Sequence, residues 1–287
     1  MTAQGTQAGA TAYCHDIVRR NDKDRYLASL FAPEDKRPHL WALYAFNHEI
    51  ARVREMITQP MAGEVRLQWW SEALGSLNAG GSADHPVLEA LGEAVKAAFL
   101  PVPALTRLIE ARRFDLYDDP MPTLTDLEGY LGETSSTVIQ LASMILAGAE
   151  AATAAAAAGY AGVAYGMAGL LRALPLQRAR GQCFVPRDLL ALESLSPGDL
   201  LTGKPREALA RVIGRLIGIA QERVALARGE RHCIPQAAMA AVLPASLTEA
   251  YLKKLARAGS DVLDHVVEVP QWRRQIVLWR NARRGEF

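Results

Sequence analysis

Apolar residues recur at three- and four-residue steps along almost the whole chain, and strand-like alternation is scarce. Leu40, Leu43, Phe46, Ile50 and Val53 mark one face of a helix predicted over residues 33–57. The same period predicts one or two short helices over 16–31, and helices over 61–77, 87–99 and 104–117. Asn78-Ala79-Gly80-Gly81 reads as a flexible turn, and Pro101-Val102-Pro103 punctuates the next boundary. Residues 125–146 and 151–172 are the most apolar and are predicted to be the central helices. Helices over 205–228, 247–258 and 271–283 complete the chain, and 187–204, rich in Pro, Gly and Ser, reads as its most loop-like internal stretch. There is no fixed-period repeat and no break in composition. The pattern predicts one all-α domain over 1–287, a helical bundle with room for a central cavity, and residues 1–11 are expected to be disordered.

Composition narrows the function classes. Of 287 residues, 50% are hydrophobic and the net charge is +1, which suits a globular protein and gives no overall field for binding nucleic acid. Cys14, Cys183 and Cys233 are widely spaced and read as reduced thiols. The first eleven residues show no secretory signal, so a cytoplasmic location is expected. Residues 151–171 carry no charge over a length that could cross a bilayer, but they are mostly Ala and Gly. A buried central helix is the better reading. The six histidines show no metal-ligand spacing, and no phosphate loop or nucleophile elbow is present. His48 reads as a structural histidine that faces the cavity, and Asp115, Asp118 and Asp119 read as a solvated turn.

Two segments carry the candidate chemistry. Tyr44-Ala45-Phe46 is followed by Ala51, Arg52 and Glu55; Leu171-Arg172-Ala173 is followed by Gln177, Gly181 and Pro186. These resemble the two aspartate-rich motifs of the squalene/phytoene synthase family, with the aspartate positions held by Ala51, Arg52 and Glu55, and by Ala173 and Gln177. Gly166 and Gly169 stand where the family commonly has Gln and Asn. The resemblance extends over most of the chain, through Arg25-Tyr26-Leu27, Trp69-Trp70-Ser71-Glu72 and the segment 108–116. It implies an isoprenoid (terpenoid) synthase-like helical bundle around a central cavity. In such a synthase, carboxylates at i, i+1 and i+4 hold magnesium ions that bind a prenyl diphosphate. Here only Glu55 could still bind a metal, so no metal is expected; Arg52 and Glu55 read as a helix-face ion pair.

Glu133-Thr134-Ser135-Ser136, with Asn47 and Glu49, is similar to a divergent branch that includes the mitochondrial respiratory complex I assembly factor. That resemblance implies a non-catalytic role in complex I assembly, with complex I subunits or assembly proteins as partners and no cofactor. The alternatives are an active head-to-head prenyltransferase using Mg2+ with Tyr44, Glu55 and Arg172, or a prenyl-lipid-binding module.

Two further sites are expected from charge. Arg52, Arg172, Arg178 and Arg180 could form a metal-free anion pocket. Gly159, Gly162, Gly166 and Gly169 recur along one helix face and read as tight helix packing in preference to a widened cavity. At the C-terminal helix, Trp272, Arg273, Arg274, Trp279 and Arg280 could contact a membrane, peripherally on the inner membrane. The competing reading has the tryptophans closing the core.

Overall fold

The computed structural model describes residues 3–78 and 85–287, so the expected turn at 78–81 lies, from residue 79 on, outside the described residues. Among the described residues there are helices and no strand. α1 (Ala3–Asn21) begins inside the stretch expected to be disordered. Ala10, Cys14 and Val18, four residues apart, are buried in the core, which holds this helix down. α2 (Lys23–Ser29) is capped by Asp22, whose carboxylate accepts from the Arg25 amide at 3.1 Å. α3 (Arg37–Ala51) ends at Ala51, and the chain tightens into a 3-10 turn, Val53–Met56. The predicted helix over 33–57 is therefore two elements, and Glu55 lies on the second.

α4 (Pro60–Asn78), α5 (Pro86–Ala98) and α6 (Val102–Ala111) follow, with a 3-10 turn at Arg112–Leu116. α5 starts where His85 Nδ1 accepts from the Val87 amide at 3.2 Å and Pro86 takes the first position. The predicted helix over 125–146 is α7 (Leu124–Leu131) and α8 (Thr137–Ala147), joined by one π-helical turn, Gly132–Ser136. Hydroxyls shape that turn: Thr134 Oγ1 donates to Tyr130 O at 2.7 Å and Thr137 Oγ1 to Gly132 O at 3.1 Å.

A 3-10 segment, Gly148–Ala154, leads into α9 (Ala155–Arg172), whose Ala157, Ala158, Ala161, Ala164, Met167, Ala168 and Leu171 are buried. The run from Leu124 to Arg172 is long and apolar enough to span a membrane, but half of its most apolar window is buried in the fold. α10 (Leu174–Ala179) follows directly. The loop-like stretch 187–204 contains α11 (Arg187–Ala191) and α12 (Pro197–Thr202), the latter set by a capping box between Ser196 and Asp199. α13 (Arg206–Gly229), α14 (Met239–Val242), α15 (Thr248–Ala258) and α16 (Gln271–Arg284) complete the chain.

One large apolar cluster joins α1, α3, α4, α5, α6 and α8. A second joins α9, α13 and α15 with the short helices between them. The candidate site lies where α2, α3, α7, α9 and α15 meet.

Candidate functional site

A cavity of about 200 Å3 opens between these helices. Its polar wall is Arg25 from α2, Asn47 from α3, Arg112, Tyr130 at the end of α7, Thr134 and Ser135 from the π turn, and Tyr165 and Arg172 from α9, with Tyr251 from α15. Gly166 and Gly169 form part of its floor. No Asp or Glu is among the lining residues.

Each lining arginine already has partners. Arg25 donates to Asp22 at 2.7 Å and lies over the rings of Tyr44 and Tyr165, 5.7 and 5.5 Å from their centroids. Burial works against its charge, but Asp22 and the tyrosines hold its pKa above the ordinary value. Arg112 donates to Asp115 at 3.2 Å and to Tyr130 Oη at 2.8 Å, and Tyr130 donates in turn to Asp115 at 2.7 Å. Burial pushes the Asp115 carboxyl and the Tyr130 phenol above their ordinary values. Asp115 is thus a buried member of a triad, not part of a solvated turn; Asp118 alone of that group pairs at the surface, with Arg54 at 3.0 Å. Arg172 donates through Nε to Val267 O at 3.0 Å, and its guanidinium stacks 3.9 Å from the Tyr251 ring centroid.

Behind Tyr251 and Tyr165 sits a further buried carboxylate. Asp24 accepts from Tyr251 Oη at 2.6 Å, from Arg274 Nη1 at 2.9 Å and from Tyr165 Oη at 3.4 Å. Burial, with Asp24 next, raises the pKa of both tyrosines, so they remain donors.

The residues singled out in the sequence divide. Arg172, Gly166 and Gly169 line the cavity. Tyr44 packs behind it on Arg25, and burial raises its pKa. His48 does not line the cavity; its neighbour Asn47 does, and burial lowers the His48 pKa. Arg52 pairs with Glu49 at 3.4 Å instead of Glu55, because Glu55 has left the helix and meets Arg180 at 3.0 Å. Gln177 is buried and donates to Leu170 O at 3.1 Å, while Ala173 only ends α9.

The expected cluster of Arg52, Arg172, Arg178 and Arg180 does not form. Arg178 turns away to bond Leu201 O at 3.3 Å, Leu263 O and Asp264, tying α10 to α12 and to the 259–263 turn. The glycine face is mixed. A Cβ on Gly162 would lie 2.3 Å from Ser136 Cα, and one on Gly166 would lie 2.7 Å from Leu131 Cδ2, so these two permit close packing. Gly159 and Gly169 face open space.

Sequence reasoning gave no chemical role to Arg25 and Arg112. The signal was a charge on an apolar face: Arg112 continues the buried stripe Leu105, Leu108 and Ile109, and Arg25 precedes Ala28 and Ser29. Two polar atoms of the lining have no hydrogen-bond partner among the described residues, Asn47 Oδ1 and Arg112 Nε.

This donor set does not fit a magnesium–diphosphate site. Magnesium takes carboxylate, phosphate and water oxygens, and the lining presents three arginines and no carboxylate. Among the described residues, one group of metal-type ligand atoms converges, Glu230, His232 and Cys233, on a surface turn.

Comparisons with known proteins agree on ancestry. The squalene/phytoene synthase family profile matches residues 18–273. The human protein named NADH dehydrogenase (ubiquinone) complex I, assembly factor 6 is 30% identical over 88% of this chain and 76% of its own length. A phytoene synthase of Arthrospira platensis is 25% identical over 97% of this chain and 94% of its own. The crystal structure of squalene synthase HpnC from Alicyclobacillus acidocaldarius superposes with a TM-score of 0.77 at 25% identity, covering 90% of this chain and 98% of that one.

Proposed function

The chain belongs to the squalene/phytoene synthase family, with the all-α isoprenoid synthase fold, and we propose that it acts without catalysis, as an assembly protein for respiratory complex I. The observation that carries this reading is the chemistry of the cavity wall. A prenyl synthase needs facing carboxylates to hold metal ions on a diphosphate. Here the wall has none, and Arg25 and Arg112 are neutralised by Asp22 and Asp115. The cavity volume, about 200 Å3, is also below the usual range for a drug-sized ligand. The 30% identity to an assembly factor over most of both chains supports the partner class. With this reading we also propose a cytoplasmic location and no resident metal.

The test is genetic. Deleting the gene in its own organism lowers the amount of assembled NADH dehydrogenase complex on native gels. Both the wild-type gene and a Glu55→Ala variant restore it, since Glu55 is the one acid left at the two motifs. Unchanged complex levels, or rescue that fails with Glu55→Ala while a prenyl product disappears, would overturn the proposal.

One observation favours a second reading, a small-anion site without metal. Arg25, Arg112 and Arg172 meet at the cavity, with Arg112 Nε unpartnered. Pyrophosphate binding that Arg112→Ala and Arg172→Ala leave unchanged would eliminate it.

A further inference from the structure

α16 presents three faces. One is anchored: Leu278 is buried, and Arg274 reaches inward to Asp24. Arg274 therefore leaves the set of residues expected at a membrane. A second face carries Trp272, Ile276 and Trp279, which are 62%, 53% and 52% exposed. The tryptophans do not close the core. They form a ridge about two turns long, and the Arg283 guanidinium lies 5.0 Å from the Trp279 ring centroid.

The third face is cationic. Arg273, Arg280 and Arg284 line a groove of about 370 Å3 against Arg228 and Lys253. Among the described residues these three arginines of α16 make no ion pair and no side-chain hydrogen bond. The two acids of the groove are engaged, Glu249 with Arg228 and Lys253 at 3.3 and 3.2 Å, and Glu286 with Arg231 at 3.9 Å. Ser246, also in the groove, is 5% exposed, and its Oγ has no hydrogen-bond partner. At the other end of α16, Gln271 borders Arg19, Arg20 and Lys23. The whole chain has a net charge of only +1, so this concentration of positive charge is local.

We propose that α16 docks this protein on a bilayer containing anionic phospholipid. The Trp272–Ile276–Trp279 ridge enters the interfacial layer, where an indole keeps its N–H near water while its ring leaves it. Arg273, Arg280 and Arg284 meet lipid phosphates, and the groove beside them accepts one headgroup. Two wide aromatic rings beside unneutralised arginines match the layered chemistry of a lipid surface, apolar below and anionic above. The inference is independent of the assembly role.

Vesicle flotation tests it with the full chain. Wild-type protein floats with phosphatidylcholine vesicles that contain phosphatidylglycerol, not with phosphatidylcholine alone, and high salt weakens the association. Arg280→Ala/Arg284→Ala lowers the partition coefficient about 25-fold, from about fivefold per basic side chain at an anionic surface. Trp272→Ala/Trp279→Ala lowers it at least about tenfold. Arg66→Ala/Lys96→Ala, the same change in net charge on α4 and α5, leaves it unchanged. All the altered side chains are exposed, and melting curves check that the variants fold. Absence of flotation, or equal flotation by wild type and the α16 variants, overturns the proposal. So does inorganic phosphate that stabilises the protein through Arg280 and Arg284 without any vesicle binding, which would make the groove a soluble-anion site. Flotation lost equally in the Arg66/Lys96 control would reduce the effect to net charge and also overturn it.

Discussion

Replacing Asp24 by Asn strips the charge from the most heavily bonded carboxylate near the cavity. The Asp24 side chain is 6% exposed and that of its partner Arg274 is 15% exposed. The Asn side chain still accepts from Tyr251, but Arg274 is left without a counter-charge in a part-buried position. Breaking a buried pair by removing one member costs about 3–5 kcal/mol, and the residual exposure of Arg274 places this case near the lower bound, about 3 kcal/mol. Unfolding entropy of about 2.1 cal/mol/K per residue makes that a fall in Tm of about 5 °C for a chain of this length. Circular dichroism melting at neutral pH measures it. The double variant Asp24→Asn/Arg274→Met removes the stranded cation and recovers about 1–2 kcal/mol relative to additive losses. A fall of less than about 1 °C, or losses that add within about 0.5 kcal/mol, would refute the argument that Asp24 and Arg274 form one unit.

Other expectations follow from the same geometry. Gly162→Ala drives a Cβ against Ser136 Cα and destabilises by about 1–3 kcal/mol, whereas Gly169→Ala meets nothing within 4 Å and is neutral or stabilising by up to about 1 kcal/mol; urea denaturation separates the two. Burial pushes the Cys14 and Cys183 thiols up to about 12 and about 11, so a disulfide reagent at mildly alkaline pH modifies Cys233 alone until the protein is unfolded; rapid labelling of Cys14 would contradict this. Hydrogen bonds from Arg206 and Arg178 hold the Asp264 carboxyl below its ordinary value. With the folded pKa below the unfolded one, its contribution is present above the ordinary carboxylate range and is lost as pH falls through the lowered pKa. Asp264→Asn therefore flattens the acid side of a stability–pH curve, and an unchanged slope would count against the Arg178 clamp.

Helix positions were largely legible, because a buried stripe repeats with the helical period and Pro, Gly and capping residues mark its ends. The breaks were not. The apolar period runs on through Gly132–Ser136, so nothing in the pattern signals that hydroxyls there open a π turn. The family scaffold was legible from residues alone. The arginine cluster was not, since the fate of Arg178 is decided by carbonyls at Leu201 and Leu263, remote in sequence. Arg25 and Arg112 carried a readable sign, a charge on an apolar helix face, but nothing in the sequence singled out Asp22, and Asp115 read as part of a turn. The exposure of Trp272 and Trp279 depends on which face of α16 Leu278 and Arg274 anchor, and the sequence pattern left both faces open.

The central claim, a synthase scaffold whose cavity no longer holds metal and diphosphate, is tested most directly by calorimetric titration with a non-hydrolysable farnesyl diphosphate analogue, with and without magnesium. No magnesium-dependent heat of binding is expected. Micromolar binding that requires magnesium would contradict it and restore a working prenyl-transfer site.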